Sequence, residues 1–284
     1  MSRYQLALPP NIVRKALGEI QSRFPSVALS PPQTHDEMSY FFKHEFGDPE
    51  KTADLTVTAY PSALARAKEH SSAFQTLPAD LPPMRCELSR AGLLECAPYY
   101  KVIGVVTLMI IHHRSVEPPP RKWADLCRPD LVDSVVIPPE STPAPAIYGC
   151  YMDKFCGVDG AVAASRVNAK LLPQDINKSV DAGDYKAGMV FPAFARTFRT
   201  GMAKAVWPEE GAVAIPLIAF VKKRASEAAV ETLRYLCSEP FQRLLAVDGL
   251  FCPMLASVPL FDEMMANKSR IAWLGWEDYI QLGK

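Results

Sequence analysis

Four places in the chain set side chains capable of molecular recognition where an apolar, strand-like stretch gives way to a helix start. They are Asn11, Tyr60 with Ser62, Ser141 with Thr142, and the stretch from Phe191 through Phe194 to Arg196. Hydroxyl and amide groups there can donate and accept hydrogen bonds, while the first turn of a helix adds free backbone N–H groups and about half a positive charge. Arg196 can grip a carboxylate or another oxyanion with two parallel bonds. Tyr60, Phe191 and Phe194 can wall a pocket with apolar surface. The chemistry open to this set is the binding of a small anionic molecule. Each member also has a plainer reading: Asn11, Ser62 and Ser141 as helix caps, the two phenylalanines as core, and Arg196 as a solvated surface charge.

No catalytic set stands beside it. The chain has no G-x-S-x-G, Walker or G-x-G-x-x-G loop, and no Ser-His-Asp arrangement can be argued from spacing. Asp181 and Asp184, on either side of Gly183, read as turn formers. The five histidines, His35, His44, His70, His112 and His113, show no metal-ligand spacing, and the adjacent pair would point to opposite faces of a strand. Seven cysteines without a C-x-x-C pair read as core thiols, not as a zinc site or a disulfide framework. No cofactor and no metal is implied. A cytoplasmic small-molecule enzyme remains the alternative to a binding protein, without a legible nucleophile or base.

Composition narrows the partners. The chain has 284 residues, 49% of them hydrophobic, with 31 basic residues against 31 acidic ones. Zero net charge removes the usual electrostatic reason to bind nucleic acid or an anionic membrane. No run of about 18 apolar residues is present to span a bilayer, and Pro9-Pro10 cuts short the first apolar stretch, so no leader is visible. The expected location is therefore cytoplasmic as the sequence stands, or periplasmic or extracellular if a leader was removed. A chain of this length sits where single cores split in two.

The elements that must position the candidate residues alternate. Tyr4–Leu8 reads as a strand feeding a helix capped by Asn11, with Ile12, Ala16 and Ile20 on one face. Thr34 and Glu37 stand in capping-box spacing. The alternation over 53–59 predicts a strand that Tyr60-Pro61 turns into a helix near Ala63. Tyr99–His112 and Val213–Val221 are long apolar, β-branched runs. Between them come a strand at 134–137, helices over 144–156 and 160–171, and a short strand at 188–191, and after them helical stretches at 228–236 and 241–245. Twenty-six prolines fall mainly at element boundaries. The pattern predicts an α/β chain with helices on both faces of a mostly parallel sheet.

Two segments carry a family resemblance. Tyr99 through Ile111, followed by Pro120-x-x-Trp123-x-Asp125-Leu126, Pro129 and Val135-Val136-Ile137-Pro138, resembles the hinge strand, helix and ligand-loop strand of type II periplasmic solute-binding proteins of ABC transporters. Ala214–Val221, with Ala229, Leu233 and Ser238-Glu239-Pro240-Phe241-Gln242, is similar to that family's return strand and following helices. The resemblance implies a bilobal fold of two mixed sheets flanked by helices, with a hinged cleft that closes on a small solute. It places residues 1–103 and 222–284 in one lobe, the tail being free to cross back, and residues 104–221 in the other. It implies an ABC permease as partner and a monomer in solution. Ferric-iron members of the nearest branch carry adjacent tyrosines in the second lobe's ligand loop; this chain has Phe191-Pro192-Ala193-Phe194 there, and phenyl rings cannot ligate iron.

Overall fold

The computed structural model describes residues 2–31 and 33–284. They form two compact units, and the chain passes between them inside one long strand at 106/107, inside a second at 214/215, and again at 261/262 and 274/275.

The chain begins in unit 1 with β1 (Arg3–Leu6) and α1 (Pro10–Arg23). Helix α1 buries Ile12, Ala16 and Ile20, one stripe at helical spacing, and starts on Pro10, which needs no N–H partner. β2 (Ala28–Leu29) runs parallel to β1, and α2 (His35–His44) opens with the full capping box of Thr34 and Glu37. β3 (Leu55–Thr58), α3 (Pro61–Glu69) and α4 (Cys86–Arg90) follow, and β4 (Tyr100–His113) carries the chain into unit 2.

Unit 2 contains β5 (Val135–Ile137), α5 (Pro143–Phe155), α6 (Gly160–Ser165), β6 (Val167–Ala169), α7 (Pro173–Ala182), β7 (Ala187–Val190), α8 (Pro192–Ala195) and β8 (Ala203–Val206). The chain leaves it through β9 (Ala212–Val221). Back in unit 1 are α9 (Glu227–Leu236), α10 (Glu239–Val247) and β10 (Cys252–Pro253). α11 (Asp262–Ala266) and β11 (Ile271–Ala272) belong to unit 2, and α12 (Trp276–Gln281) ends the chain in unit 1.

The helix expected over 160–171 is corrected. It stops at Ser165, and Val167–Ala169 pairs in parallel with Val135–Ile137. A half-buried segment beside an open strand edge gains ladder hydrogen bonds that a continued helix would forgo, which overrides the weak helical preference of its β-branched Val167. Set beside the expected cuts at 103/104 and 221/222, the units divide a few residues inside each strand. Residues 262–274 go with unit 2 because Ile271 and Ala272 extend the sheet alongside Ala212 and Val213.

In unit 1 the strand order is β2-β1-β3-β9-β4, with β1 parallel to β3, β9 antiparallel to β3, and β10 antiparallel to β4. An aromatic group of Phe42, Phe46, Phe74 and Phe220 packs on one face, its ring centroids 5.1 to 5.5 Å apart. Gln242 is fully buried; its amide donates to the Ile103 and Leu236 carbonyls and its Oε1 accepts from the Met254 N–H. In unit 2, β4-β7-β5-β6 form the sheet and β8 pairs with β4 on its other side. Its core gathers Met109, Ile111, Val136, Ile176, Val180 and Val190, each worth about 1.5–3 kcal/mol by burial. The Trp123 motif is an anchor: its fully buried indole N–H donates to the Gly211 carbonyl at 2.9 Å, just before β9.

Candidate functional site

In each unit two neighbouring parallel strands bring their following loops to one end of the sheet. In unit 1 these are β1 and β3, which places the start of α1, with Asn11, at the same sheet end as Tyr60 and Ser62. In unit 2 they are β5 and β7, which bring Ser141 and Thr142 to the same end as Phe191–Arg196. Binding sites of open α/β sheets form at such strand ends.

Asn11 is not the cap of α1. Pro9 takes that position and its carbonyl accepts from the Ile12 and Val13 N–H groups, because Pro10 fits the first helical position. The Asn11 amide donates instead to the Gly249 carbonyl at 3.2 Å, while its Oδ1 is buried without a hydrogen-bond partner among the described residues. Tyr60 is buried and stacked on Phe42, and its hydroxyl lies 3.1 Å from Nδ1 of His35. Burial raises the Tyr60 phenol and lowers the His35 imidazole, so at neutral pH the first is protonated and the second uncharged. Ser62 lies in the first turn of α3, with no side-chain cap on that helix. α12 packs on this turn: the Tyr279 hydroxyl donates to the Ala59 carbonyl at 2.5 Å, and Gly283 lies so close to Pro61 that no side chain would fit.

His35 was not among the candidates drawn from the chain. It sits beside the Thr34 cap, a recognisable helix start, but its partner lies 25 residues away and only the fold joins them. Next to it Gln5, buried in β1, donates to Gln33 Oε1 at 2.8 Å. These residues adjoin a cavity of about 440 Å³ lined within unit 1 by β1, α1, the β2–α2 loop and α2.

In unit 2, Thr142 turns its hydroxyl back to the Pro139 carbonyl at 2.7 Å and leaves α5 without a side-chain cap. Ser141 is half-buried beside it. Phe194 joins the unit 2 core, whereas Phe191 is half-buried, with its ring centroid 6.3 Å from that of Phe194. Arg196 does form a bidentate pair, but with Glu263: Nε donates at 2.9 Å and Nη2 to the second carboxylate oxygen. The pair holds the Glu263 carboxyl below its ordinary value and raises the guanidinium.

Asp181 is no turn former. It lies in α7 with its carboxylate buried, accepting from the backbone N–H groups of Arg199, Thr200 and Ala203 at 2.6 to 2.9 Å. Burial alone would raise its pKa, yet these bonds outweigh it and hold the carboxyl at about 2. Asn177, one turn earlier, donates to the Phe194 carbonyl at 3.1 Å and to the Thr197 hydroxyl. Together they fix the 191–203 segment from behind. Among the described residues, no group of three or more His, Cys, Asp or Glu side chains is placed to hold a metal ion, and no helix is long and apolar enough to cross a membrane.

This mixed α/β architecture, with helices starting at the carboxyl ends of parallel strands in both units, is that of type II periplasmic binding proteins. The apo ferric ion-binding protein A of Pasteurella haemolytica has the same fold, at a TM-score of 0.78 with 11% identity over 99% of this chain and 94% of that one. Iron-bound HitA of Pseudomonas aeruginosa gives a TM-score of 0.78 with 13% identity over 99% and 97% of the two chains. The substrate-binding protein of an ABC transporter from Agrobacterium tumefaciens gives 0.73 with 13% identity over 99% and 88%. The chain belongs to the bacterial extracellular solute-binding protein family, whose model matches residues 50–281. Of the two locations expected from the sequence, this family's name supports the one outside the cytoplasm. No curated protein matches it by sequence.

Proposed function

We propose that this solute-binding protein works outside the cytoplasm, closing its two units about β4 and β9 on a small anionic solute and presenting the closed form to an ABC permease. The observation that carries the reading is the match to the solute-binding family over residues 50–281 of a chain whose two long strands each run from one unit into the other. In unit 1 the contacts would come from the first turns of α1 and α3, with Tyr60 and Ser62. In unit 2 they would come from Ser141, the α5 N-terminus, Phe191 and Arg196. Solute stabilises the closed form because only there do both sets of loops touch it. Ferric iron, named for several structural relatives, suits this loop poorly, since Phe191 and Phe194 offer no phenolate oxygen.

A thermal-shift panel of carboxylates, inorganic oxyanions, metals and polyamines tests this. We expect one saturable class of stabilising compound, recovered unchanged after incubation. Consumption of the compound would contradict the binding role and favour an enzyme on the same fold.

A further inference from the structure

The unit 1 cavity has a chemical character that the binding reading leaves undefined. β1 is an interior strand, flanked by β2 and β3, so its side chains should be covered. Yet Leu6, Leu8, Val13, Leu17, Leu29 and Met38 are all only half-buried around a space of about 440 Å³. That volume falls in the range of small-molecule sites, about 300–1,000 Å³. Covering this apolar wall at the carboxyl end of a strand with an apolar body is favourable, in proportion to the area removed from water.

The charged group that lines it is basic. Arg14 lines the cavity from α1, and among the described residues it makes no hydrogen bond or ion pair, so its charge is available. Ser30, Gln33 and His35 also line it, and none of the described lining residues is acidic. The His35 ring meets the Tyr60 hydroxyl through Nδ1 at 3.1 Å, which leaves Nε2 as its other polar atom. An apolar chamber rimmed, among the described residues, by the Arg14 cation and neutral polar groups is complementary to an amphipathic anion. It is poorly matched to a bare metal ion, which needs clustered acceptors, or to a polyamine, which needs carboxylates.

We propose that the solute is an organic carboxylate with an apolar body, its hydrocarbon part seated among Leu6, Val13, Leu17 and Met38 and its carboxylate met by Arg14, as the unit 1 share of the contacts proposed above. This rests on the reading of the chain as a solute-binding protein and supplies the class that reading lacks. The His35–Tyr60 contact joins the chamber to the β3–α3 turn, so an occupant would be sensed at the loop where Tyr60 and Ser62 lie.

Calorimetric titration of the full chain with octanoate and with phenylacetate tests the assignment, with acetate and octanol as probes lacking the body or the charge. At least one of the two carboxylates should bind saturably and acetate should not. Arg14→Gln, a surface change, should weaken the binding carboxylate about tenfold or more while leaving octanol unaffected. Leu17→Trp should fill the chamber and abolish binding of both; thermal unfolding of that variant verifies its fold. If phosphate, citrate or ferric ion binds and neither octanoate nor phenylacetate does, the class assignment falls while the solute-binding reading stands. If nothing in the wider panel binds, both fall. Carboxylate binding unchanged in Arg14→Gln also overturns the assignment.

Discussion

Replacing Asp181 by Asn should loosen the segment that carries Phe191, Phe194 and Arg196. The carboxylate is buried and accepts three backbone N–H groups from residues 199–203, and these hold its pKa at about 2. A depression of roughly two units from the ordinary aspartate value corresponds to stability on the order of 2 kcal/mol at neutral pH. The Asn amide keeps one accepting oxygen but turns an NH₂ toward a backbone N–H, leaving at least one buried donor unmet, at a further cost of about 1–3 kcal/mol. We expect Asp181→Asn to lose about 2–4 kcal/mol in urea unfolding at pH 7. Because the folded carboxyl stays charged to lower pH than the unfolded one, its contribution is complete above about pH 5 and fades as the pH falls toward 2. The difference between wild type and variant should therefore shrink across that window. A variant within about 0.5 kcal/mol of wild type, or a difference that stays flat with pH, would refute the argument that this carboxylate organises the loop.

Gln242→Leu should cost about 2–4 kcal/mol, since it orphans the Ile103 and Leu236 carbonyls and the Met254 N–H in the interior of unit 1; chemical denaturation measures it. Glu263→Gln should release Arg196 and tighten binding of an anionic solute, whereas Arg196→Ala should weaken it about tenfold, both read by calorimetry; equal affinities in the two variants would remove Arg196 from the site. Under native conditions a thiol reagent should label the exposed Cys86 and Cys96 quickly. It should spare Cys237 and Cys252, whose thiols burial pushes up to about 12, and mass spectrometry of labelled peptides reports the order.

Local signals were legible where they were self-contained. Thr34 and Glu37 announce a helix from four residues, and the β-branched runs at 100–113 and 212–221 are long enough to be read as strands. What escaped depends on distant partners. Val167–Ala169 is a strand only because β5 lies beside it, and Asp181 looks like a turn residue until the backbone 18 to 22 residues further on folds over it. Asn11 has a capping side chain, but Pro10 moves the helix start two places earlier, with Pro9 as cap, and the amide goes to Gly249 instead. Tyr60 and Arg196 were legible as candidates, whereas His35 and Glu263, which hold them, lie 25 and 67 residues away along the chain with no periodicity to link them. The cavity was invisible for the same reason, since its walls come from a strand, two helices and a loop that are ordinary taken singly.

The central claim is that solute draws the two units together about the strands that cross between them. Small-angle X-ray scattering of the full chain, free and saturated with the most stabilising compound of the panel, tests it directly. A smaller radius of gyration in the bound form, saturating at the same concentration as the binding isotherm, is the predicted result. Saturable binding with scattering curves that superimpose would contradict it.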